Sequence, residues 1–547
     1  MKDILRFFRE KDKRSILFLI GIIFFGISLE ILSLSIISPT VSLVLGQSEN
    51  FELFQGIIKI NSLTSKDVLV LLLVVFVIKF FYFGGLSFYQ NKVLANLIEY
   101  VSSTLFKKFI TEKYSDRKEK TSGDVVNIIQ NEVGRFHSYQ YHSMILFIEI
   151  IFSASIILIL LYFNFFVTLY IIITGFLFGV AYKSLFGKRL KYYGEKRQNL
   201  EFLTTNKIIE SSSLFKEIKV FKKEQQFYID FKTANEKRFF YNSRYMTLNQ
   251  FSRYFIEIVF IMILVSSLGL SLFLDLDLYD QIPSISLFMA ASIRIIPSMN
   301  RIISSYQTRK YFYPSVKIIS DNWLDREIEL IDENSKISDF KSSILFENIS
   351  FSHDSKKTLL KNFKIEIHKN QIIGIKGESG VGKSTLFDII LNLFNVDELR
   401  FKVDGKEIKR DDLSFNFFGF VPQKIYLLNQ NIYQNIAFSA DYENLDINLI
   451  DDFMSKIGLE EFIGDFNRKL GEGGEKVSGG QKQKIGILRA FYNQSKVLLF
   501  DESFSNLDAS SKHDVLEFLN KEKRLKSFLI ISHDEKILKF CDDIITL

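Results

Sequence analysis

Residues 371–394 read QIIGIKGESGVGKSTLFDIILNLF. An apolar run short enough for a buried strand enters a glycine-rich turn, and a helix-patterned run follows. This is the P-loop pattern in its required strand–loop–helix context. Glycine lets the backbone N–H groups of Gly377, Glu378, Ser379, Gly380, Val381 and Gly382 wrap phosphate oxygens at a helix N-terminus. Lys383 is spaced to reach the β- and γ-phosphates, Ser384 to ligate Mg2+, and Thr385 follows in the first helical turn. The stretch predicts a nucleotide site and an α/β domain around it.

Working outward, short β-rich runs alternate with helical patterns from 344 to 547, as in a domain with parallel strands. KVLLFDE, 496–502, reads as a buried strand ending in two carboxylates. Asp501 suits a Mg2+-bound water, and Glu502 stands where it can act as general base toward an attacking water. VSGGQKQ, 477–483, places Ser478, Gly479, Gly480 and Gln481 before a helix, a second anion-binding turn. One chain is not expected to bring this turn to its own P-loop, so it would serve the P-loop of another copy. Residues 324–343 are polar and charged and read as a linker.

Upstream the texture is different. The chain has 547 residues, 47% hydrophobic and 15% aromatic with 57 Phe, yet 24% charged. Its mean hydropathy is +0.13, which suits a membrane half joined to a soluble half. Cys541 is the single cysteine, which excludes an intrachain disulfide and any CxxC or zinc-finger site. Six apolar segments are long enough to span a bilayer, near 15–46, 67–91, 143–163, 165–185, 251–274 and 282–303. Basic residues precede the first span and open the connections after the second and fourth. The link between the fifth and sixth carries Asp275, Asp277 and Asp280 with no Lys or Arg. The positive-inside rule then puts both termini in the cytoplasm. It also accounts for the net charge of +6 without nucleic acid as a partner. The two cytoplasmic connections keep helical periodicity, so they read as membrane helices continuing into the cytosol, turning near 116–126 and 209–222. Residues 51–60, FELFQGIIKI, place Phe51, Phe54, Ile57 and Ile58 on one helical face, which predicts a small interfacial helix.

Four cations fall in or beside the spans: Lys79, Arg253, Arg294 and Arg301. Counted from the outer face, Lys79 and Arg294 lie at nearly the same depth, roughly 18 Å down at 1.5 Å per residue. A cation there costs roughly 2.5–3.5 kcal/mol on insertion scales, so it needs a purpose. One reading is internal pairing with Glu30, Glu149 or Glu257. The other is a positive cavity that receives an anionic cargo headgroup, such as a phosphate or pyrophosphate, which arginine suits geometrically.

These motifs together resemble the ATP-binding cassette transporter family, across the whole chain. Gln423 in FVPQKIYLL looks like that family's Q-loop glutamine. Ser505-Asn506-Leu507-Asp508 resembles its D-loop, and His533 in IISHD its switch histidine. GEGGEKVSGGQ, 471–481, resembles the exporters' lead-in and signature. The resemblance implies a six-span α-helical exporter domain over 1–323 and an α/β P-loop ATPase domain over 344–547. It implies ATP and Mg2+ as cofactors, Gln423 and Asp501 near the metal, and a homodimer with each ATP between one chain's P-loop and the other's Ser478–Gly480. His353 stands where the family usually has an adenine-stacking tyrosine, and Val477 where it has leucine. RIIPSMNRIISSY, RYFIEI, Lys79 in VIKFFYF and Glu30 in ISLEILSLSIISPTVSL look like PglK-type flippases of lipid-linked oligosaccharides. This closer resemblance implies ATP-driven flipping of a polyprenyl-pyrophosphate glycan across a bacterial inner membrane, for protein N-glycosylation or surface glycan assembly. Lys79 replaces an arginine of those flippases. The alternatives within exporters are another lipid, such as a lipid A-like one, or a peptide or drug.

Overall fold

The apolar runs fold as long helices. The computed structural model describes residues 7, 9–44, 51–53, 58–60, 64–114, 120–163, 165–273, 282–323, 337–352, 358–394, 396, 398–414, 416–439 and 445–547. Helix α1 (Glu10–Ser35) resumes after Ile36 as α2 (Ile37–Val44). Strands β1 (Phe51–Leu53) and β2 (Ile58–Ile60) pair antiparallel, with Phe51 opposite Ile60. The small helix expected over 51–60 is therefore corrected to a strand pair. The run is short, and its β-branched isoleucines favour strand over helix.

Helix α3 (Ser65–Thr111) begins at a reciprocal cap: the Thr64 N–H donates to Asp67 Oδ2 at 2.9 Å, and the Asp67 N–H to Thr64 Oγ1 at 3.4 Å. Thr121 and Asp124 repeat the device for α4 (Ser122–Val126). A π-helical segment, Asn127–Glu132, follows and leads into α5 (Val133–Phe163). The chain goes on as α6 (Phe165–Ser213), the short α7 (Phe215–Val220), α8 (Glu224–Phe273) and α9 (Ile282–Asp321). The turn expected within 209–222 is there: α6 ends at Ser213 and α7 lies across the connection to α8. The link at 274–281, expected to be external, and residues 116–119 of the turn expected at 116–126 lie outside the described residues.

Length carries an argument of its own. Helices α3, α6 and α8 have 47, 49 and 50 residues, or roughly 70–75 Å at 1.5 Å per residue. A bilayer core is only about 30 Å thick. Each helix must therefore run well beyond any membrane it crosses, as the periodicity predicted. Among the described residues, Lys13–Val41, Lys66–Thr111 and Ser122–Tyr162 are long and apolar enough to span. Helix α9 stays continuous through Pro297 and Pro314.

The helices meet through aromatic and small residues. Phe7 is buried edge-on against Phe136 at 5.2 Å and Trp323 at 4.9 Å. Tyr245 stacks on Tyr311 with centroids 3.9 Å apart. A β-carbon added at Gly194 would sit 2.1 Å from the Tyr311 carbonyl oxygen, so only glycine lets α6 and α9 approach this closely there. Arg197, also buried, pairs with Glu201 at 2.8 Å and lies over the rings of Tyr311 and Phe312.

The second compact unit is the α/β domain, formed by Ile328–Leu547 with Lys113–Ser115. An antiparallel sheet in the order β4-β3-β6-β7 comprises β3 (Ser343–Ser352), β4 (Thr358–His368), β6 (Arg400–Val403) and β7 (Lys406–Glu407). A parallel sheet in the order β11-β5-β10-β9-β8 comprises β5 (Ile372–Lys376), β8 (Phe418–Val421), β9 (Val497–Asp501), β10 (Ser527–Ile531) and β11 (Asp543–Thr546). Strands β9 and β10 are buried along nearly their whole length and read as continuous apolar runs, as parallel strands covered on both faces must. The linker expected to 343 is shorter than that. Ile337 already bridges the domain, its N–H donating to the Asp412 carbonyl at 2.8 Å and its carbonyl accepting from Ser414 at 2.9 Å.

Candidate active site

Strand β5 delivers the chain to the P-loop, and helix α10 (Lys383–Ile390) leaves it. Gly380 and Gly382 take φ of +84° and +112°, a region that a side chain strains. A β-carbon on Gly377 would lie 2.9 Å from the Leu547 carbonyl oxygen. Lys383 is buried, and its ammonium donates to the Gly377 carbonyl at 2.8 Å and the Glu378 carbonyl at 2.9 Å. A buried ammonium over a glycine turn at a helix start is the donor set a polyphosphate fits.

The carboxylates predicted at the end of the Asp501 strand converge there. The Ser384 hydroxyl hydrogen-bonds Asp501. Burial pushes the Asp501 carboxyl up; the Ser384 bond opposes this, the neighbouring Glu502 charge adds to it, and Lys383 opposes it. A divalent cation at this pair would offset the desolvation of the carboxylate, so Ser384 and Asp501 fit Mg2+. Glu502 takes φ of +48°, a left-handed conformation costing about 1–2 kcal/mol for a non-glycine residue. It is held by its N–H on the Ile531 carbonyl at 3.1 Å. That turn aims the carboxylate at two other predicted residues. Gln423 Nε2 donates to Glu502 Oε2 at 2.8 Å, and His533 Nε2 lies 3.3 Å from Glu502 Oε1. His533 Nε2 is also 3.3 Å from the Lys383 ammonium. Four segments far apart in sequence thus meet around one point.

The second anion turn is built as a helix cap. Ser478 accepts from the Gln481 N–H, and Gln481 returns to the Ser478 N–H at 2.8 Å, opening α13 (Gly479–Tyr492) after α11 (Ile432–Ala437) and α12 (Ile447–Lys456). Among the described residues no hydrogen bond or ion pair joins Ser478–Gln481 to 377–385. Asp508 precedes α14 (Ala509–Glu522); hydrogen bonds from Ser510 and Ser511 hold its carboxyl well below the usual range. Sequence reading missed Gln483, whose side chain donates to Ser505 Oγ at 3.3 Å and accepts from the Asn506 N–H at 3.0 Å. It ties the signature helix to the D-loop; its place in QKQ was the signal. His353 lies outside the described residues.

Among known proteins, residues 360–505 match the ABC transporter family model. An export ATP-binding/permease protein of Rickettsia typhi is 26% identical over 96% of this chain and 92% of its own length. The leukotoxin translocation ATP-binding protein LktB of Mannheimia haemolytica is 30% identical over 52% of this chain and 41% of its own length. A bacterial Atm1-family ABC exporter solved with ATP bound superposes with a TM-score of 0.79 at 18% identity, over 98% of this chain and 93% of that one. The chain has the fold of an ABC exporter and carries an ABC transporter cassette. Its cassette binds ATP with Mg2+ and hydrolyses it to drive transport.

The four cations singled out in the apolar helices, Lys79, Arg253, Arg294 and Arg301, each have a carboxylate partner. Lys79 reaches Glu30 Oε2 at 2.9 Å and Ser33 Oγ at 3.0 Å, and Arg294 Nε reaches Glu30 Oε1 at 2.9 Å. Arg294 also lies 3.6 Å from Glu149, which accepts from Arg301 at 2.5 Å and from Ser298. Arg253 pairs with Glu257 one helical turn on, at 3.0 Å. Lys79 and Arg294 stand level with each other, since both end on Glu30. Of the two readings, the pairing with carboxylates is the one seen: the four cations are not a bare positive cavity, because cations among apolar helices recover desolvation through carboxylate partners. Glu257 is the partner of Arg253.

Proposed function

We propose that two copies of this exporter flip a lipid-linked oligosaccharide, a polyprenyl-pyrophosphate glycan, from the cytoplasmic to the outer leaflet of a bacterial inner membrane. The six long helices would make six spans per chain. In each cassette Glu502 polarises the attacking water as general base, with Gln423 and Asp501 at Mg2+ and Ser384 as its ligand. His533 and Lys383 hold the γ-phosphate. Gly377–Thr385 cradle the phosphates, His353 stacks on adenine, and the second copy's Ser478, Gly479, Gly480, Gln481 and Asp508 close the site.

The observation that carries the cargo reading is a charge imbalance. Lys79, Arg294 and Arg301 share only Glu30 and Glu149. That leaves this five-residue cluster with one net positive charge per chain, and two per dimer. Arg301 is 44% exposed and Arg294 22%, so their planar forks can take a phosphate while staying paired. Arg253 adds nothing to this set, since Glu257 neutralises it. The decisive measurement is ATPase stimulation in proteoliposomes by polyprenyl-pyrophosphate glycan, lipid A and unfolded peptides in parallel. Stimulation by the glycan alone is the expected result; stimulation by peptides alone would favour protein export, the cargo class named for the leukotoxin relative.

A further inference from the structure

Outside the cassette and the buried ion chain, one surface carries cations without carboxylates. On α6, Lys188, Tyr192 and Lys196 recur every four residues; on α8, Lys237, Tyr241 and Arg244 recur at four and three. Such spacings put each set on one helical face. The helices run antiparallel, with Tyr192 and Tyr241 centroids 6.0 Å apart. The register continues to either side: the Tyr182 hydroxyl donates to the Leu248 carbonyl, and Lys207 meets Asp230 at 3.7 Å. With 192 beside 241, Lys188 falls beside Arg244 and Lys196 beside Lys237. Two pairs of cations therefore bracket a tyrosine pair, one turn above and one turn below.

All four cations are exposed, and among the described residues none has a carboxylate within ion-pair distance. The nearby acids are already engaged: Glu195 with Lys191 and Glu236 with Lys232, each at 3.7 Å. The cations present instead Arg244 over the Phe240 ring at 5.0 Å and Lys196 over the Tyr192 ring at 5.6 Å. The apolar run of α6 ends near 185, so Lys188 sits roughly 5 Å beyond it, at phosphate depth, and Lys196 roughly 16 Å beyond it, past the headgroups, at 1.5 Å per residue.

We propose that the Lys188–Arg244 end of this face binds the phosphate headgroups of anionic phospholipids of the inner leaflet. The proposal rests on the reading of α6 and α8 as membrane-crossing helices. Lysine and arginine near an anionic surface contribute ~1 kcal/mol each, about a fivefold change in partitioning per cation. Tyrosine supplies hydroxyl donors and an interfacial ring.

The test uses the full chain in nanodiscs of phosphatidylcholine with rising phosphatidylglycerol. Wild type should retain phosphatidylglycerol in native mass spectra, increasingly with its fraction. Lys188→Gln with Arg244→Gln, the pair nearest the membrane, should lose at least tenfold in retention, with the ATPase rate in neutral lipid unchanged. Lys188→Arg with Arg244→Lys should behave as wild type, and so should Lys196→Gln with Lys237→Gln, which stand beyond the headgroups. Should the first Gln pair not fold, Lys188→Gln alone should give a smaller loss of the same kind. Unchanged retention in the Lys188 and Arg244 variants would overturn the proposal. So would an equal loss in the Lys196 and Lys237 pair, or displacement of the retained lipid by millimolar inorganic phosphate. Absent ATPase in every lipid, with retention still charge-dependent, would instead strike the exporter reading and leave this one standing.

Discussion

In the cassette, Lys383, Gln423, Glu502 and His533 meet where Glu502 is 29% and His533 52% exposed. In the helices, Lys79, Arg294 and Arg301 meet Glu30 and Glu149, and Glu30 is not exposed at all. Both are clusters of charge drawn from distant segments. The cassette cluster is held from behind by backbone: carbonyls on Lys383, the Ile531 carbonyl on the Glu502 N–H, a strained φ at Glu502. Its Glu502 and His533 side chains stay partly exposed and available to a ligand. The helix cluster is held by its own charges, and what remains for a ligand is the imbalance. A site for chemistry and a charge held among apolar helices thus differ in what satisfies them.

The sharpest break of that contrast is Glu502→Gln. Loss of a general base lowers turnover by roughly 10²–10⁴-fold, with ATP binding retained because no phosphate contact is removed. Near-normal hydrolysis by the variant in proteoliposomes would take Glu502 out of the base role. In the helices the equivalent change is Glu30→Gln. It strips a buried carboxylate from Lys79 and Arg294, and breaking a buried pair costs about 3–5 kcal/mol. Thermal unfolding should drop steeply, and Lys79→Met beside it should recover part of the loss. A Glu30→Gln protein that melts like wild type would refute the pairing.

Gly194→Ala tests packing instead of charge. Its methyl would meet the Tyr311 carbonyl oxygen at 2.1 Å, and overpacking of this sort costs about 1–3 kcal/mol. Unfolding and hydrogen exchange of α6 and α9 would report it; unchanged exchange there would mean the helices separate freely. The smallest effect belongs to Arg253→Ala. An exposed pair one turn apart on a helix contributes about 0.3–0.5 kcal/mol. Transport and stability should both stay near wild type, and a marked loss of glycan-stimulated ATPase would return Arg253 to the cargo set.

Much of this was legible before any coordinates. The P-loop, the DE pair, SGGQ and the lone histidine of IISHD are local patterns whose chemistry needs particular residues at particular spacing. The helical extensions were legible because 3.6-residue periodicity outlasts the apolar runs. The strand pair at 51–60 was misread since a short apolar run satisfies helical and strand periods alike. The linker boundary was misread because Ile337 joins the domain through two backbone hydrogen bonds, which no side-chain pattern announces.

By itself the sequence determined that a nucleotide motor is joined to apolar helices, and which residues gather at its phosphate turn, because phosphate chemistry is written within a few residues of chain. Only the tertiary structure decided what each membrane cation is for. Lys79, Arg294 and Arg301 are 46 to 264 residues from their nearest carboxylate partners or hydroxyl neighbours, so their pairing depends on how helices register side by side. Charge pairing acts over a few ångströms of space, and spacing along the chain does not report that distance.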